Sequence, residues 1–233
     1  MDASKIGVVF DCDGTLLDSM GVWYELQEDL AKRAGGTLTS DDVAALAPMS
    51  IPEVGEYFHK KFELGESAQE VVGMVDEYML DFYRNRAKAR PGALEFAQAL
   101  ADKGVHLTVA SSSPKAYLMA GMERCGFANL LDRVLSVNDV HSTKREPDVW
   151  DRAREIMSTP KETTWGIEDS AYAIDTLRNA GYRTLGVYDN DDAGTFEALQ
   201  SGAEHAVRSF EDLTVEEFLS WNDQPLYVGA VKK

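Results

Sequence analysis

Two cysteines, Cys12 and Cys125, are the only thiols in 233 residues. Cys12 sits inside an acidic motif, so no disulfide framework is expected and a reducing, cytoplasmic setting fits. Long apolar runs are also missing. The opening stretch MDASKIGVVF is too short for a signal-peptide core or a membrane span, and no apolar run of about 18 residues follows it. Basic residues are scarce: 23 Lys and Arg stand against 40 Asp and Glu, a formal net charge of −17. Nucleic acid and anionic membrane surfaces would be repelled. An anionic ligand must instead be drawn in locally, by a cation or a few placed basic residues. The four histidines are scattered without zinc-site spacing, and the absence of a G-x-x-x-x-G-K-[ST] loop excludes a P-loop kinase. No protein partner is inferable.

What is present is ordinary for a globular protein, with 44% hydrophobic residues and a length that allows a core domain carrying an insert. Short β-branched runs at 6–11, 105–111, 133–137, 163–169 and 182–189 read as buried strands. Helical spacing fills 93–104, 114–126, 148–158 and 170–181. Gly104, Gly126 and Gly181 suit helix C-termini, and Ser170 suits an N-cap. The alternation predicts an α/β fold, a Rossmann-like parallel sheet flanked by helices. Stretch 203–210 adds a candidate edge strand, 213–221 a short final helix, and 222–233 a surface tail. Residues 20–89 break the rhythm with helical patterns only, so a helical cap domain inserted after the first strand is expected. The core is then 1–19 and 90–233, with ARPG (89–92) marking the return.

In open parallel sheets ligands bind beyond the carboxyl ends of the strands. Those ends carry Asp11-Cys12-Asp13-Gly14-Thr15, Ser111-Ser112-Ser113 and Glu168-Asp169-Ser170, with Lys144 before the helix that follows the third run. Taken singly, each has an ordinary structural explanation: an acidic turn, a helix start, a solvated lysine, a capping residue. Delivered together by four segments, they describe phosphoryl chemistry. Asp11 suits a nucleophile that splits a hard hydrolysis into two steps through an acyl-phosphate. Asp11 and Asp169 form a hard-oxygen site for Mg²⁺, which relieves their repulsion and admits a phosphate dianion. Asp13, two residues on, projects to the same side in extended chain and suits a general acid/base. Gly14 permits the tight turn that brings backbone N–H groups toward phosphate. Ser111 and Lys144 would hold phosphoryl oxygens, Lys144 offsetting transition-state charge, and Ser112 is a further candidate substrate contact.

These segments resemble the haloacid dehalogenase-like hydrolases, in the phosphatase branch with a helical cap. FDCDGTLLDS is similar to the family's first motif, TVASSSP to its second, KREPDVW to its third and GIEDS to its fourth. The resemblance spans essentially the whole chain. It implies Asp11 as nucleophile and Asp13 as acid/base, the latter also reaching the metal through its main-chain carbonyl. It further implies Ser111 and Lys144 at phosphate, Asp169 as metal ligand and Glu168 as an outer one. Asp18 reads as structural, shaping the turn into the cap, and Cys12 as a small apolar residue facing away from the acids. Two departures stand out: Arg145 where the family usually has Pro, and Ala173 where it usually has Gly. Arg145 is read first as a solvent-facing side chain, with substrate contact as the alternative.

A Mg²⁺-dependent phosphatase acting on a small phosphorylated metabolite, a sugar or polyol phosphate, is therefore the leading expectation. A mutase of the β-phosphoglucomutase type is the alternative. Its cap histidine and arginine correspond here to Trp23 and to Ile51 or Pro52, which favours hydrolysis. A catalytically silent regulatory member is a third reading, disfavoured because all the motif residues are present. A cap that closes over the site would set specificity, and Trp23, Met49 and Ser50 are its candidate contacts. Trp23 also has the helical spacing of core, with Leu26 and Leu30.

Overall fold

A computed structural model describes residues 2–47 and 49–225 of the chain. Six strands form one parallel sheet: β1 (Gly7–Phe10), β2 (His106–Ser111), β3 (Arg133–Ser136), β4 (Thr164–Glu168), β5 (Arg183–Val187) and β6 (His205–Val207). Their order is β3-β2-β1-β4-β5-β6, so β1 is central and the winding reverses across it. Val8, Val9 and Phe10 are wholly buried, because helices cover both faces. That double cover is why the strands read as continuous apolar runs rather than alternating ones.

The chain divides into two compact units, residues 1–18 with 87–233 and residues 19–86. The second unit contains no strand among its described residues. It is built from α1 (Gly21–Arg33), α2 (Ser40–Leu46), α3 (Ile51–Phe62) and α4 (Ala68–Asp81), followed by a π-helical turn at Phe82–Arg86. Its core takes Leu26, Leu30, Phe58, Val71, Val75 and Met79 from four-residue-spaced faces. The break lies a few residues from the expected 20–89. Residues 87–90 pair back onto the outgoing chain: Asp18 N–H donates to Lys88 O at 3.0 Å and Arg90 N–H to Leu16 O at 2.9 Å.

In the first unit α5 (Ala93–Asp102), α6 (Lys115–Arg124), α7 (Asp148–Met157) and α8 (Ala171–Asn179) follow the strands, with α9 (Phe196–Gly202) and α10 (Val215–Trp221) near the end. One sheet face packs Val9, Ala110 and Leu135 against Trp150, Met157 and Leu177. Gly166 in β4 is needed there: a Cβ would stand 2.3 Å from Leu177 Cδ1. The opposite face is aromatic, with Trp165 4.9 Å from Phe218 and 5.8 Å from Trp221 between ring centroids.

Three expectations change. Ser170 occupies the α8 N-cap position but its side chain makes no capping hydrogen bond. Helix α9 lay outside the sequence reading because it buries only Leu199 and so carries no apolar face to read, unlike the equally short α10 with Val215, Phe218 and Trp221. The tail from 222 does not begin at the surface: Asn222 is buried, and its Oδ1 accepts from Trp165 Nε1–H at 2.9 Å. The rest of that tail, 226–233, lies outside the described residues.

Candidate active site

Strand register puts the chemistry at one edge. Phe10 pairs with Val109 on one side and Ile167 on the other. The next residue, Asp11, donates its N–H to Ile167 O at 2.9 Å, which fixes it beside Glu168, the last residue of β4. Asp11, Glu168 and Asp169 are all buried, and one carboxylate oxygen from each lies within 4.8 Å of the others. Lys144 arrives from the loop before α7. Its Nζ donates to Asp11 Oδ1 and, at 2.6 Å, to Glu168 Oε1, and it lies 5.8 Å from the centre of the Trp150 ring.

Three carboxylates face one ammonium, so the site is short of positive charge. Burial raises the Asp11 carboxyl, with Asp13 adding to the effect and Lys144 opposing it. Burial also lifts Glu168 well above the ordinary carboxylate range, against Lys144. Asp169 is pushed up to about 7, by burial and then by the charge of Asp11. For Lys144, burial works to lower the ammonium, but Asp11 and Glu168 outweigh it and hold it above its usual value. A hard divalent cation fits this donor set, because clustered oxygen ligands with uncompensated negative charge are what such ions take.

Asp13 stands apart. The chain leaves the extended state after Cys12, whose carbonyl accepts from both Leu16 and Leu17 N–H. Asp13 therefore adds no carboxylate to the three-acid cluster, and its expected place among the metal residues rests on the main-chain carbonyl alone. Its Oδ2 accepts instead from Ser113 Oγ–H at 2.6 Å. Ser113 is tied in further: its N–H donates to Ser111 Oγ at 3.1 Å, and its carbonyl accepts from Ser136 Oγ at 2.9 Å. Ser111 is buried at the end of β2, whereas Ser112 is exposed. Gly14 adopts φ +83°, a conformation costly for any residue with a Cβ. Its N–H donates to Leu17 O at 3.0 Å, so Gly14 contributes the turn itself rather than a free amide. Cys12 is fully buried, as a small apolar residue would be, and burial pushes its thiol up.

Two groups at this edge escaped the sequence reading. One is Ser113, the last of three identical residues that sequence cannot rank. The other is Arg90, whose Nη1 donates to Gly14 O at 2.6 Å and to Asp189, and whose Nη2 donates to Tyr188 O at 2.7 Å. That fork ties the acidic loop to the end of β5. Arg145 is exposed, and its guanidinium lies 5.1 Å from the centre of the Tyr172 ring. Asp18 is exposed as well, its N–H used in pairing with Lys88.

Trp23 and Ser50 belong to the helical unit. Trp23 is half-buried on α1, one turn before the buried Leu26. Ser50 heads α3, and both its N–H and its hydroxyl donate to Glu53 Oε2, at 2.7 and 2.6 Å.

The crossover edge of this doubly wound parallel sheet gathers buried acids, a lysine and a serine, at the place where open α/β sheets bind their ligands. The chain belongs to the haloacid dehalogenase-like hydrolases, whose pattern it matches over residues 8–187. As a member of that family it is a hydrolytic enzyme, and named phosphatases are among its relatives. It is 23% identical to the phosphorylated carbohydrates phosphatase of Thermotoga maritima, over 89% of this chain and 96% of that protein. It is 25% identical to the pyrophosphatase PpaX of Listeria monocytogenes, over 77% of this chain and 82% of that one. In fold it is similar to the crystal structure of β-phosphoglucomutase from Clostridium difficile, with a TM-score of 0.70 and 19% identity, covering 93% of this chain and 96% of that one. Among the described residues, no helix is long and apolar enough to cross a membrane.

Proposed function

We propose that the chain is a Mg²⁺-dependent phosphatase that hydrolyses a small phosphorylated metabolite, a sugar or polyol phosphate, through an aspartyl-phosphate at Asp11. The observation that carries this reading is Asp11 itself: a buried carboxylate at the end of the central strand, hydrogen-bonded to Lys144 and crowded by Glu168 and Asp169. Such crowding destabilises an unliganded carboxylate and is relieved by a cation.

Asp11 and Asp169, with the Asp13 main-chain carbonyl, would hold the Mg²⁺, and Glu168 would support them from further out. The bound ion supplies neutralising charge that lets a phosphate dianion approach the acids. A carboxylate oxygen of Asp11 attacks phosphorus while the bond to the leaving oxygen breaks, and the Asp13 carboxyl gives that oxygen its proton. Asp13, now a carboxylate, then takes a proton from water as the water oxygen attacks phosphorus. The bond to Asp11 breaks and orthophosphate leaves. Ser111 and Lys144 bind the phosphoryl oxygens, and Lys144 stays charged because Asp11 and Glu168 hold its proton before attack, and Glu168 with the phosphoryl oxygens once Asp11 is esterified. Selection of the leaving group is proposed to fall to the helical unit's own residues Trp23 and Ser50.

Phosphate release from an aryl phosphate and from a panel of phosphorylated metabolites tests the reading. Release is expected only with Mg²⁺ and is lost in Asp11→Asn. Wild-type protein that releases nothing across the panel would instead support the silent-member reading.

A further inference from the structure

The overall charge of −17 makes each uncompensated cation at the site edge informative. Lys144 is matched by Asp11 and Glu168, Arg90 by Asp189, and Lys115 by Asp139. Arg145 differs. It directly follows Lys144 and is exposed, and its guanidinium pairs with no carboxylate among the described residues. It is not loose, however, because it lies 5.1 Å from the centre of the Tyr172 ring. Tyr172 is in the first turn of α8, three residues past Asp169, and is itself 43% exposed. Its phenol is raised by burial and then by the charge of Glu168, which places it in the field of the acid site. A guanidinium resting on an aromatic ring keeps its N–H edge free, and that edge matches a phosphate or carboxylate in two-pronged fashion.

We infer that Arg145, positioned by Tyr172, is a specificity-determining residue that binds a second anionic group on the substrate, a phosphate or carboxylate on the leaving-group side. The inference rests on the phosphatase reading and narrows it: substrates with two anionic groups are preferred over those with one. Lys144 cannot supply that recognition as well, since it is buried against Asp11 and Glu168 and already assigned to the transferred phosphoryl group. Arg145 has no such internal claim on it.

Non-hydrolysable phosphonates separate this inference from turnover. Binding of methylphosphonate, phosphonoacetate and methylenediphosphonate is measured by calorimetry at fixed free Mg²⁺, for wild type, Arg145→Gln and Arg145→Lys. In wild type the second anionic group should tighten binding at least tenfold over methylphosphonate. Arg145→Gln should remove most of that gain, Arg145→Lys should keep part of it, and Tyr172→Leu should weaken it. The two larger ligands distinguish carboxylate from phosphate as the preferred second group. A gain that is absent in wild type, or equally large in Arg145→Gln, overturns the inference. Phosphonate binding that follows Arg145 in a protein with no phosphatase activity would retain the anion site and reject the phosphatase reading.

Discussion

Lys144 Nζ donates to Glu168 Oε1 across 2.6 Å while the same ammonium holds Asp11, and all three side chains are shielded from water. A lysine that bridges two buried carboxylates is a structural member as well as the proposed phosphate ligand. Lys144→Ala leaves two acids unpaired. Removing one partner of a buried ionic set costs about 3–5 kcal/mol, so a large fall in the denaturant midpoint is expected. Glu168→Gln keeps a hydrogen-bond acceptor and removes one charge, so it should cost far less stability than Lys144→Ala. Urea unfolding of the two variants checks the order.

Stability should depend on pH and on Mg²⁺ together. The Asp169 carboxyl is raised from 3.8 to about 7 in the folded state. A raised carboxyl adds stability below its unfolded value and loses that contribution as pH climbs through its folded value. Cation-free protein should therefore lose stability from this group between those two values. A Mg²⁺ ion held by these acids would offset the repulsion that remains above them. Thermal unfolding should show a Mg²⁺-dependent rise at about pH 8, worth about 2.7 kcal/mol at a hundredfold excess over Kd, and a smaller rise at about pH 5.5, where protons compete. Equal rises at both values would contradict a cation held by these acids.

Ser113 should matter to rate more than to folding. Its hydroxyl donates to Asp13 Oδ2 at 2.6 Å, which orients the proposed acid/base. Ser113→Ala should cost about 1 kcal/mol of stability and lower kcat by roughly tenfold with little change in KM. Ser113→Thr, which keeps the hydroxyl, should restore most of the rate. Equal kcat in Ser113→Ala and wild type would remove Ser113 from the account.

Arg90 offers a test of the loop's anchoring. One guanidinium reaches Gly14 O, Tyr188 O and Asp189 together, a fork that a lysine cannot reproduce. Arg90→Lys should lower the melting temperature by several degrees, an effect of about 1–2 kcal/mol at this chain length. An unchanged melting temperature would show that the loop is held by other means.

These residues also mark where sequence was informative. The sheet was legible because strands covered on both faces must be apolar throughout, and acids or hydroxyls closing such runs signal the ligand edge. Asp11, Ser111 and Asp169 follow from that rule, at or just past the ends of β1, β2 and β4, whereas Lys144 comes from the loop before α7. The geometry of Asp13 does not, since strand alternation was extended past Cys12 into residues that form a turn. Arg90 was legible only as part of a loop, because its partner Asp189 lies 99 positions away. Asn222 looked like tail for the same reason: its contact is Trp165, 57 positions earlier. Single-residue pairings over such separations leave no periodicity to read.

The central claim, that Asp11 carries the phosphoryl group, is tested most directly by acid-quenching wild-type protein during turnover with Mg²⁺ and mapping its peptides by mass. The account predicts one added phosphoryl group on the peptide containing Asp11, absent from the same peptide of Asp11→Asn, which releases no phosphate. Steady turnover by Asp11→Asn at the wild-type rate would contradict it.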